Sequence, residues 1–112
     1  GFSARDMMAE TAWLSAQSND FSYDTAPSKL LEDLGSFHDI LVVISGSGNS
    51  PKILSALRAA RTRNMMTIGF LGFGGGQARN YCDHAIVLPQ KDYGPLEDCH
   101  SVCLHMLQEL LR

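Results

Sequence analysis

The stretch Asp39-Ile40-Leu41-Val42-Val43-Ile44-Ser45-Gly46-Ser47-Gly48-Asn49-Ser50-Pro51 decides the fold. Its first half is an unbroken apolar run, mostly β-branched, which is how a strand buried on both faces of a parallel sheet reads. Its second half alternates hydroxyl side chains with glycine and ends in Ser50-Pro51. That ending starts a helix, with Ser50 as N-cap and Pro51 at the first helical position.

Downstream, the helix is predicted to bury Ile53, Leu54, Leu57 and Ala60, with Arg58, Arg61 and Arg63 outward or near its C-terminal dipole. Met66 to Leu71 reads as a second strand, and the following Gly72-Phe73-Gly74-Gly75-Gly76 as a flexible connection. Gln77 to Tyr81 makes a short helical turn, and His84 to Leu88 a third strand closed by Pro89. Leu96 to Leu111 is the terminal helix, with Leu96, Cys99, Cys103, Leu104, Leu107 and Leu111 on one broad apolar face. Upstream, Pro27 opens a helix carrying Leu30, Leu31 and Leu34 and stopping at Gly35. Met7 to Ser18 has the spacing of a short amphipathic helix around Trp13, and Phe21 to Asp24 reads as a turn. Alternating strands and helices predict an α/β fold, doubly wound, with a mainly parallel sheet and flanking helices in a three-layer sandwich.

Composition narrows the function. Among 112 residues, 9 Lys+Arg stand against 12 Asp+Glu, a net charge of −3 that offers no general attraction to nucleic acid. No apolar run approaches the length a membrane span needs. Three cysteines without CxxC spacing indicate neither a disulfide framework nor a zinc knuckle, so a reduced, cytoplasmic setting is expected. The chain starts at Gly1 rather than Met and is expected to be one domain over residues 1–112, the C-terminal part of a longer one.

Ligands of open α/β sheets bind at the carboxyl ends of strands, where Ser45 to Ser50 lies. Glycines let the backbone approach a ligand, three hydroxyls can donate to an anion, and the next helix adds unpaired N–H groups with a partial positive charge. A phosphate suits this cradle. A P-loop is excluded because Lys52 follows Pro51 rather than a glycine, and a GxGxxG fingerprint because Pro51 stands at its last glycine. A nucleophile elbow is excluded because Ser45 and Asn49 flank Ser47 where glycines would be needed. A plain strand-to-helix turn is the competing structural reading.

The segment DILVVISGSGNS (39–50), the strand Met65 to Phe70 and the glycine-rich turn together resemble the sugar isomerase (SIS) domain. Thr11-Ala12-Trp13-Leu14, Asn19-Asp20-Phe21 and the terminal Glu97-Asp98-x-His100-x4-His105 resemble its phosphoheptose isomerase-like branch. The resemblance implies that Ser45, Ser47 and Ser50 hold a sugar phosphate. It also implies that His105 is catalytic in proton transfer or ligates zinc, with Glu97 at a place where the branch has a substrate- or metal-binding Gln. The family's GNGGS-type loop and the helix with its catalytic Glu have no counterpart in these residues.

Two functions follow from the resemblance. One is an isomerase of sedoheptulose 7-phosphate in heptose and surface-polysaccharide synthesis, with zinc as its one implied cofactor. The other is a non-catalytic, phosphosugar-binding regulatory module of the kind that associates with replication initiators. Either would form a dimer or tetramer with shared sites. His38 and His84 read as surface or capping residues, His100 as a residue behind the site, at an interface or only structural, and Cys99 and Cys103 as core packing.

Overall fold

The computed structural model describes residues 3–7 and 24–112. The expected helix around Trp13 and the turn from Phe21 lie outside the described residues. Helix α1 spans Ala26–Leu34 with Pro27 in its first turn, and Gly35 ends it by donating its N–H to Leu31 O at 2.7 Å. There follow β1 (Ile40–Ser45), α2 (Pro51–Thr62), β2 (Met66–Leu71), a 3₁₀ turn (Ala78–Asn80), β3 (His84–Val87) and α3 (Tyr93–Leu110). The three strands lie in the order β1-β2-β3 and every pairing is parallel. Ser45 pairs with Leu71, and Leu71 with Val87, so the loops after β1 and β2 leave the sheet side by side. The doubly wound α/β reading holds.

The core lies between β1, β2 and the two helices on one face. Leu41 and Val43 meet Leu54, Leu57 and Ala60 of α2 and Leu31 of α1. Leu57 is fully buried and contributes about 1.5–3 kcal/mol by leaving water. Arg63, which caps α2, donates to Gly35 O at 3.3 Å and to Glu32 O, joining the ends of α1 and α2. Among the described residues no helix is long and apolar enough to cross a membrane.

Three expectations need correction. The β1 run is buried on one face only: Leu41, Val43 and Ser45 are covered, while Ile40, Val42 and Ile44 are exposed. Alternation follows from the strand's two-residue period, and the described helices cover the second face only near Phe70, where α3 crosses. The terminal helix starts at Tyr93 rather than Leu96. Pro95 does not interrupt it, because the first four N–H groups of a helix have no partner within it. Its apolar face is narrower than expected: Leu96 and His100 are buried, whereas Cys99 is exposed and Cys103 half-buried.

Candidate functional site: a serine loop braced by a glycine loop

Ser45 closes β1 with its side chain inward, and its Oγ accepts the N–H of Gly48 at 3.0 Å. Ser47 Oγ accepts the N–H of Asn49 at 3.2 Å. Each hydroxyl thus shapes the loop as an acceptor and keeps its own proton for another partner. Ser50 caps α2 through its carbonyl, which accepts Leu54 N–H at 3.0 Å, while its hydroxyl makes no cap bond. Pro51 brings no N–H to the first turn of α2, so the first backbone donors of that helix are those of Lys52 and Ile53. The three predicted serines lie together on one turn at the carboxyl edge of the sheet.

The neighbouring glycine loop is no flexible connection, and that expectation is corrected. Phe73, Gly74, Gly75 and Gly76 all have positive φ, from 51° to 93°, which folds the segment back onto the serine loop. Gly72 N–H donates to Gly46 O at 3.0 Å, and Ala78 N–H to Gly48 O at 2.9 Å. Gln77 N–H donates to Asn49 Oδ1 at 2.9 Å. The loops touch so closely that a Cβ on Gly48 would stand 2.0 Å from Gly75 O. Three hydrogen bonds across one seam preorganise the hydroxyls before any ligand arrives.

The first turn of α3 packs on the same seam. A Cβ on Gly46 would meet the Tyr93 ring at 2.6 Å, and one on Gly72 would meet Leu96 at 2.4 Å. The Tyr93 ring also lies against that of Phe73, centroids 4.9 Å apart. Glu97 belongs to this turn and is exposed beside Tyr93. His105 is exposed too, but eight residues of continuous helix set it about 12 Å along the axis from Glu97. Within this chain the structure does not bring His105 to the serines. Nor do Glu97 and His105 fit one zinc ion by themselves, and no three His, Cys, Asp or Glu side chains cluster for a metal among the described residues.

Several pairings were not foreseen in the sequence. His100 is buried, with Nε2 3.1 Å from Leu71 O. The Asp83 carboxylate accepts Thr67 N–H at 2.9 Å and lies 3.2 Å from the Thr67 hydroxyl, joining the start of β3 to β2. The Thr67 amide, chiefly, holds the Asp83 carboxyl below its usual range. Burial, with Asp83 second, raises the Cys82 thiol. The triple glycine was the signal available for the brace, since consecutive glycines suit consecutive left-handed residues. A cavity of about 560 Å³ lined by Gly35, Phe37 and Arg63 lies at the amino ends of the strands, away from the serines.

Residues 2–72 match the SIS domain family. Phosphoheptose isomerase 1 of Campylobacter jejuni is 36% identical over 105 residues, covering 94% of this chain and 56% of its own. A phosphoheptose isomerase of Bradyrhizobium sp. is 37% identical over 110 residues, covering 98% and 56%. The solved phosphoheptose isomerase GmhA from Neisseria gonorrhoeae superposes with a TM-score of 0.94 at 29% identity, over 98% of this chain and 62% of that one. A phosphoheptose isomerase from Francisella tularensis gives 0.86, also at 29% identity, over 90% and 56%. The chain spans about half the length of the curated relatives it matches.

Proposed function

The chain belongs to the SIS domain family, and from that premise we propose that it is the phosphate-holding part of a cytoplasmic phosphoheptose isomerase acting on sedoheptulose 7-phosphate. The observation that carries this reading is the braced serine loop at the carboxyl edge of the sheet. Ser45, Ser47 and Ser50 receive the phosphate as hydrogen-bond donors at the positive end of the α2 dipole. Glu97, on the turn that packs against the loop, contacts the sugar.

The reaction moves a proton between C1 and C2 of the sugar and needs a group that both takes and returns it. His105 suits this, since an imidazole nitrogen can both accept and donate a proton. Its distance along α3 from the serine loop supports a site shared between copies in a dimer or tetramer. Val102, Met106 and Leu110, exposed at i, i+4 and i+8 on the same helix, support such pairing. Zinc would require donors beyond Glu97 and His105. The regulatory-module alternative is not favoured, since the relatives quoted are phosphoheptose isomerases.

The test is turnover by the intact protein, followed by NMR of sedoheptulose 7-phosphate. The wild type is expected to form the aldose isomer, and His105→Ala to lose turnover while still binding the sugar phosphate. A wild type without turnover, with or without added zinc, overturns the isomerase reading.

A further inference from the structure

His100 is 3% exposed on α3. Its ring stands edge-on to Phe70 with centroids 6.4 Å apart, and Nε2 lies 3.1 Å from Leu71 O. A carbonyl only accepts, so Nε2 carries the proton and donates. A buried imidazole costs free energy that a leucine would not, unless its polar atoms are used.

The position of its acceptor gives the bond its consequence. Leu71 is the last residue of β2, and the next N–H, that of Gly72, is the first of the three bonds that brace the serine loop. On its own helix, His100 follows Glu97 by three residues and precedes His105 by five. One bond therefore connects the helix bearing Glu97 and His105 to the root of the two loops. Packing of Leu96 and Tyr93 on glycines sets how closely the helix approaches. A directional hydrogen bond can additionally set its rotation and its position along the axis.

We infer that His100 is a positioning residue: by donating to Leu71 O it fixes the setting of α3, and with it Glu97 and His105, against the braced serine loop. Its effect on turnover rests on the isomerase reading; its effect on the loops does not.

The experiment compares intact wild type, His100→Leu and His100→Gln, the glutamine amide reaching about where Nε2 stands. In folded His100→Leu the amides of Gly72 and Ala78 are expected to exchange with solvent about tenfold faster, while those of the α2 interior keep their rates. Turnover of sedoheptulose 7-phosphate is expected to fall about tenfold in kcat, with KM within about twofold. His100→Gln is expected to restore both. Unchanged exchange in His100→Leu, or a folded His100→Gln as impaired as His100→Leu, overturns the proposal. A wild type without turnover defeats the isomerase reading alone, and exchange then decides this one. Should His100→Leu not fold, nitrogen NMR of the wild-type imidazole decides: protonated Nε2 is expected, and a bare Nε2 overturns the proposal.

Discussion

The side-chain oxygen of Asn49 accepts the backbone N–H of Gln77 at 2.9 Å, joining two loops that lie 28 residues apart in sequence. This bond spends the Asn49 carbonyl on structure rather than on a ligand. It turns the five residues after β1 and the six after β2 into one rigid edge, in which the serines are held by neighbours that never need to touch the sugar.

Replacing Asn49 with alanine therefore acts on binding indirectly. Asn49→Ala is expected to lose about 1 kcal/mol of stability and to weaken sugar-phosphate affinity several-fold. Asn49→Asp, which keeps an acceptor, is expected to retain most of both. Thermal unfolding and calorimetry check this; an Asn49→Ala protein with wild-type affinity would show that the brace does not matter for the ligand.

Gly48 and Gly74 separate backbone strain from crowding. Both have positive φ, but nothing lies within 4 Å of a Cβ on Gly74, whereas Gly48 faces the Gly75 carbonyl. Gly74→Ala is expected to cost about 1–2 kcal/mol from conformation alone. Gly48→Ala is expected to cost more and to release the Gly72 and Ala78 amides to faster exchange. Equal losses of stability in the two variants would contradict the close seam.

Asp83 predicts an acid dependence of known sign. Its carboxyl is held low by the Thr67 amide, so the ionised form is favoured in the folded chain. Its contribution is complete above the unfolded carboxylate range, about pH 3.9, and is lost as pH falls through the lower folded value. Asp83→Asn should melt below the wild type at neutral pH, and the gap should close in acid. A gap independent of pH down to the acid limit would contradict the assignment.

The fold was legible where one segment carried its own signal. Ser50-Pro51 marked the start of α2, Gly35 the end of α1, and the apolar runs marked the strands. The serine loop was legible as a loop of hydroxyls and glycines. What was not legible depends on pairs distant in sequence: Asn49 with Gln77, Thr67 with Asp83, Leu71 with His100. The start of α3 was placed three residues late, at Leu96 instead of Tyr93, because local propensity alone does not identify a first turn, where a proline such as Pro95 is harmless. The exposed Ile40, Val42 and Ile44 misled because a β-branched run reports what a strand can bury, and not which of its faces the described helices cover.

The central claim is that the serine loop receives the phosphate of the sugar. Calorimetric titration of sedoheptulose 7-phosphate into the intact protein and its Ser47→Ala variant tests it most directly. A lost hydrogen bond to a charged oxygen, worth about 1.5–3 kcal/mol, predicts affinity at least about tenfold weaker in the variant. Equal affinity in two folded proteins would contradict it.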